Sequence, residues 1–115
     1  MTTSRTSIAY RGDAPDVLAQ KDPGERLDYR VDWADAMAAE NESALTSSAW
    51  SVSDPAGLTI ESASPHAPSI VGAEAVVWVS GGSDGVNYEL VNTVVTAGTT
   101  PRTQVWSIVI PCRER

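Results

Sequence analysis

The side chains of this sequence that could do chemistry are few and scattered. His66 is the one imidazole, set between Pro65 and Pro68 with no neighbouring residue in the chain to serve as its acid–base partner, and general acid–base catalysis needs such a partner in reach. Cys112 is the one thiol. Arg113 and Arg115 beside it are of the kind that lower a thiol pKa toward a reactive thiolate, but a lone cysteine builds neither an internal disulfide nor a Cys-rich zinc site. Asp28, Asp32 and Asp35 are oxygen donors of the type calcium takes, yet they lack EF-hand spacing and a glycine-supported aspartate loop, so a solvated acidic face is the better reading. Arg11-Gly12-Asp13 matches the integrin-recognition tripeptide, and Asn41-Glu42-Ser43 is a glycosylation sequon that matters only in a secretory pathway. Such three-residue matches arise easily by chance. We therefore expect no catalytic, cofactor-binding or metal site, and a protein that is not an enzyme.

The elements that would have to position any site belong to one small acidic domain. The chain has 115 residues, 42% of them hydrophobic, and a formal net charge of −7. That length supports one core without metal or disulfide staples. From Val31 to Pro101 there are nine acidic residues and no Lys or Arg, whereas the first thirty residues balance five basic against five acidic side chains. Such a body repels a phosphate backbone, which excludes nucleic acid as a direct partner. No apolar run approaches the roughly 20 residues of a membrane span, and the amino end has no apolar signal-peptide core. Synthesis in a cytoplasm, without membrane insertion, is expected.

Residues 1–26 are rich in Thr, Ser, Arg, Asp and Pro and read as an extended arm, mobile in isolation because it buries too little apolar surface to offset its ordering entropy. Its scattered apolar residues Ile8, Tyr10, Val17 and Leu18 are the candidate contacts for a partner. Residues 27–115 read as strands. Leu27, Tyr29, Val31 and Trp33 alternate with polar neighbours; residues 34–40 suit a helical turn; a strand around Trp50 stops at Asp54-Pro55-Ala56-Gly57; Leu58–Ser62 is short. The apolar run Ala75–Val79 suits a strand covered on both faces or packed at an interface, Gly81–Gly85 a turn, and Val86, Tyr88, Leu90 and Val94 one stripe of a long strand. Gln104, Trp106, Ile108 and Ile110 form a stripe of the last strand.

Six to seven short strands at regular turn spacing predict an all-β, immunoglobulin-like β-sandwich. Asp84, four residues before Tyr88, resembles the tyrosine corner of that fold. Trp50, Trp78 and Trp106 fall on separate strands; at least two should be buried, with Trp50 and Trp78 expected as core anchors.

Lys21-Asp22-Pro23-Gly24-Glu25-Arg26-Leu27-Asp28-Tyr29-Arg30-Val31-Asp32-Trp33 resembles the opening of small virion proteins of tailed bacteriophages, the phage fiber-tail adaptor family. Ser47–Val52 with Gly57-Leu58-Thr59, then Val77–Gly82, then Tyr88–Thr96 are similar to that family in the same order. Residues 36–43 depart from the short Gly-Asp loop expected there. The resemblance implies a non-enzymatic structural protein with an Ig-like domain at the neck, tail or fiber attachment region. It implies as partners other virion proteins, and several copies in a ring or lattice. The alternatives are a capsid decoration protein and a carbohydrate- or receptor-binding β-sandwich. The acidic stretch implies that copies meet through apolar edges or Arg-bearing ends, in a heterologous contact rather than by pairing acidic faces.

Overall fold

The computed structural model describes residues 4–39, 42, 44–54, 56–98 and 100–114. The sequon residues Asn41 and Ser43, and Pro55 of the expected turn, lie outside them. Among the described residues nine strands and one helix follow in chain order: β1 (Thr6–Ile8), β2 (Asp16–Val17), β3 (Leu27–Asp32), α1 (Ala34–Ala39), β4 (Leu45–Asp54), β5 (Leu58–Ile60), β6 (Ser69–Val71), β7 (Glu74–Gly81), β8 (Asn87–Thr96) and β9 (Thr103–Pro111). They form two sheets of an all-β sandwich. One runs β1-β3-β7-β5, with β6 also on β7; the other runs β2-β9-β8-β4.

Period-two alternation decides which residues enter the core. On β3, Tyr29 and Val31 are buried; on β8, Tyr88, Leu90, Asn92, Val94 and Thr96; on β9, Trp106, Ile108 and Ile110. These stripes face one another across the sandwich, where a fully buried Leu- or Val-sized side chain contributes roughly 1.5–3 kcal/mol. β7 is central in its sheet, antiparallel to β3 on one side and to β5 and β6 on the other, and Ala75, Val76, Val77 and Val79 of its apolar run are buried.

The tryptophan expectation needs correction at Trp50 and Trp78, since only Trp106 of the three named is buried. Trp33 and Trp106 are buried, while Trp78 and Trp50 are half-buried. Trp78 pairs with Asp28 on the outward side of β3 and β7, since the inward positions are Val77 and Val79. An unbroken apolar run cannot reveal which of its two faces is inward. Trp50 does point inward, opposite Asn92, and packs against the core, but β4 is an edge strand and leaves it part-covered.

Three further features shape the surface. β5 and β6 occupy successive halves of one edge of β7, separated by residues 61–68, where Pro65 and Pro68 interrupt what would otherwise be one strand. Gly81–Gly85 carries the chain from one sheet to the other. Ser83 N–H donates to the Tyr88 hydroxyl (2.8 Å) across this turn, the type of contact that defines a tyrosine corner. Gly82 has φ 95°, and a Cβ there would lie 2.9 Å from Cys112 Sγ. Asp32 Oδ1 accepts from Ala34 N–H (2.9 Å) and starts α1, matching the expected helical turn.

Residues 4–26, the described part of the expected arm, are extended and run along both sheets rather than away from them. β1 pairs in parallel with β3, and β2 in parallel with β9. Ser7 Oγ accepts from Trp106 Nε1 (2.9 Å) and donates to Asp16 Oδ2 (2.8 Å). These short pieces have no local periodicity. Their pairing depends on strands 24 residues and more away in the chain.

Candidate docking surfaces

The residues with chemical potential are kept apart by the fold. Among the described residues no three His, Cys, Asp or Glu side chains come together to hold a metal. Asp28 lies between Arg5 (3.3 Å) and Arg30 (3.4 Å), Asp32 caps α1, and Asp35 pairs with Arg11 (2.8 Å). The same contact engages the arginine of the Arg11-Gly12-Asp13 tripeptide. His66 packs edge-on against Trp78, ring centroids 4.7 Å apart.

Cys112 is fully buried. Burial pushes its thiol pKa up, a shift the Lys21 charge only partly offsets. Arg113 lowers it as well, but by less than burial raises it, and its guanidinium binds the Cys112 carbonyl (2.7 Å) and Asn87 Oδ1 (2.9 Å). Lys21 is also fully buried. Its ammonium donates to the carbonyls of Gly81 (2.6 Å) and Asp22 (2.9 Å), and burial lowers its pKa against the opposing charges of Cys112 and Asp22. These two side chains join the N-terminal segment, the inter-sheet turn and the end of β9. Lys21 carries no signal in the sequence, because a buried lysine is rare and its acceptors are backbone carbonyls.

The four candidate partner contacts separate by exposure. Tyr10 and Val17 are 52% and 51% exposed, Ile8 is half-buried, and Leu18 is 3% exposed and part of the core. Tyr10 adopts φ 65°, uncommon for a bulky residue, and lays its ring edge-on over Trp33 (5.8 Å) and Trp106 (5.6 Å). Beside it a cleft of about 310 Å³ opens between Ala9–Arg11 and α1, lined also by Asp35, Ala36 and Ala39.

The outer faces of the two sheets differ sharply in chemistry. On the β1-β3-β7-β5 sheet, Arg30 bridges Asp28 and Glu74 (2.9 Å), Arg5 reaches Asp28, and Arg26 pairs with Glu61 (3.0 Å). Ser80 and Arg26 hold the Glu61 carboxyl below its ordinary pKa. On the β2-β9-β8-β4 sheet the outward positions run in cross-strand rows: Ser47–Val95–Thr103, Ala49–Thr93–Val105 and Ser51–Val91–Ser107. Val109 lies beyond these, paired with Glu89 on one side and Val17 on the other. On its other side Glu89 pairs with Asp54 of β4.

A family model described as podophage GP4 fiber-tail adaptor protein gp77 matches residues 21–111. No curated protein and no solved structure matches the chain. The matched span begins at the buried Lys21 and takes in every strand from β3 to β9.

Proposed function

Because the chain belongs to the podophage GP4 fiber-tail adaptor family, we propose that it is a non-enzymatic structural part of a podophage virion that joins tail to fiber. The family match over residues 21–111 carries this reading. It is supported by the exposed, aromatic-backed loop at Tyr10. No helix among the described residues is long and apolar enough to cross a membrane.

In this reading the virion partners are tail and fiber proteins, present with several copies of the adaptor, and the chain is made in the host cytoplasm before assembly. The sandwich is the rigid spacer, with an immunoglobulin-like arrangement of strands. The N-terminal segment supplies contacts to a neighbour through Tyr10, Val17 and the exposed side of Ile8, with Leu18 held inside. Tyr10 presents a large ring at low rotamer cost, as interface anchors do. Phage propagated without this protein, and imaged by cryo-electron microscopy, should carry tails that lack fibers. Fully fibered particles from the deletion phage would refute the adaptor role. Tyr10→Ala should lower incorporation of the folded protein into particles at least several-fold, and unchanged incorporation would remove the Tyr10 loop from the interface.

A further inference from the structure

β4 is the outermost strand of its sheet, and among the described residues no strand pairs with its far side. The other outermost strands, β1, β2, β5 and β6, are two or three residues long, whereas β4 has ten. We propose that this edge takes up, as an added strand, an extended segment of a second protein that is uncharged at its centre and flanked by Lys or Arg.

The backbone defines the kind of occupant. Thr96 N–H donates to the Arg102 carbonyl (2.9 Å), so Thr96 turns toward the β9 side, and the unbroken register of β8 with β9 turns Val91, Thr93 and Val95 toward β4. Their partners Ser51, Ala49 and Ser47 face back to them. The N–H and C=O groups of Ser48, Trp50 and Val52 therefore point away from the sheet. Such a row is a template for another strand, and only an extended backbone satisfies it in register. Native edges are usually guarded by charges, Pro or bulges. From Leu45 to Ser53 there is no charged residue, Pro or Gly, and the two register shifts of β4 lie outside Ser47–Val52.

Side chains and charge narrow the choice. Residues that pair with Ser48, Trp50 and Val52 point their side chains the same way as these three, toward the space between the sheets. There a cleft of about 200 Å³, lined by Ser48, Pro68, Ser69 and Ile70, has room for a Thr or Val of the added strand. Trp50 also keeps a buried indole N–H without an acceptor, where buried donors are ordinarily paired. Glu42 precedes β4, Asp54 ends it and pairs with Glu89, and no Lys or Arg between Val31 and Pro101 balances them. Two copies joined antiparallel through β4 would bring the Asp54 end of one to the Leu45 end of the other, close to its Glu42, acid against acid at both ends. A segment with basic residues on either side of an uncharged centre meets those acids favourably.

The inference concerns the isolated chain and does not depend on the tail–fiber reading. The probe is a capped synthetic peptide that alternates Thr and Val over about six residues, the usual length of a strand, with paired lysines at each end. Its titration should give a Kd on the order of 1 mM or tighter. Amide exchange followed by NMR should show the Ser48, Trp50 and Val52 N–H groups slowed at least tenfold by bound probe, with Ser47, Ala49 and Ser51 unchanged. The same peptide with alternate backbone nitrogens methylated keeps its charges and should bind at least tenfold more weakly. Glu42→Lys combined with Asp54→Lys should weaken the lysine-flanked probe to the same extent and admit one flanked by glutamates. Unslowed exchange at Ser48, Trp50 and Val52 with about 5 mM probe, several times that Kd, would overturn the proposal. So would equal binding of the methylated peptide, equal binding of the lysine-flanked probe by the doubly substituted protein, or slowing that appears without probe as the protein is concentrated, which would make a second copy the occupant.

Discussion

Asn92 is the buried polar hinge between the two sheets, and replacing it with Leu tests whether the core depends on that connection. The side chain projects inward from β8 with no solvent exposure. It accepts from Trp33 Nε1 (2.9 Å) and donates to Ser48 Oγ and the Ala49 carbonyl (both 3.0 Å). In Asn92→Leu the Ser48 hydroxyl can rotate to another partner. The Trp33 indole N–H cannot, and an orphaned buried donor costs about 1–3 kcal/mol. Lost donation to Ala49 adds about 1 kcal/mol, partly offset by the apolar surface of Leu. A net loss of about 2–4 kcal/mol should lower Tm by roughly 8–15 °C in a domain of this size. Asn92→Asp sharpens the test. The carboxylate still accepts from Trp33, but it is buried, opposes the Ala49 carbonyl, and so has a folded-state pKa above its unfolded value. Its stability should therefore be greatest below about pH 4 and be lost as pH rises through the folded pKa. Thermal melts of both variants from pH 3.5 to 7.5 give the answer. An Asn92→Leu protein melting within about 2 °C of wild type, well inside the expected shift, would refute the reasoning.

Three other outcomes follow from the same packing. Trp33→Ala should cost about 3–5 kcal/mol in urea unfolding, and Trp78→Ala less than half as much, because Trp78 is outward and half-buried; equal losses would show that the outward face of β7 is covered. Tyr29, whose hydroxyl donates to the Ala19 carbonyl (2.8 Å), has its pKa pushed up from 10.0 to about 12, chiefly by burial. Its contribution is present below pH 10 and lost between pH 10 and 12, about 3 kcal/mol over that window, while the lowered Lys21 pKa acts in the opposite sense as pH approaches 10.5; alkaline melts compared with Tyr29→Phe measure it, and identical pH profiles would contradict it. Gly82→Ala should destabilise by at least about 1–3 kcal/mol, since its Cβ would meet Cys112 Sγ at 2.9 Å and Tyr88 Cε2 at 3.2 Å; a neutral substitution would mean that the turn relaxes freely.

The long strands were legible because each presents one face to the core. Leu27 to Trp33, Tyr88 to Val94 and Trp106 to Ile110 alternate in the sequence as they alternate in burial. Ala75–Val79 reads as a strand but its pattern does not orient it, so nothing in the sequence marks Trp78 as outward. β1, β2 and β6 span two or three residues each. They exist because longer, distant strands offer backbone partners, so no local pattern announces them. For the docking surfaces, the exposed Tyr10 and Val17 were visible as stray apolar residues. Leu18 has the same appearance in the sequence and differs because, beside Val109 of β9, it is part of the core. The stripe Glu89, Val91, Thr93, Val95 was visible as the far side of β8. That it adjoins the small residues of β4 and the valines of β9 became apparent only from the register.

The parallel pairing of the N-terminal segment also determines how the domain would bear a pull. Leu18 and Lys21 N–H groups bind the carbonyls of Val109 and Pro111, Arg113 N–H binds the Lys21 carbonyl, and the Lys21 ammonium grips Gly81. Tension drawing residue 4 and residue 114 apart therefore slides β2 lengthwise along β9. These bonds are loaded in shear and must fail together instead of peeling open one at a time. A joint held this way resists force through its rate of rupture more than through its equilibrium stability. Stretching single molecules by their two ends should show a distinct force peak that Lys21→Ala reduces. If the two proteins part at the same force, the buried lysine is not the clasp.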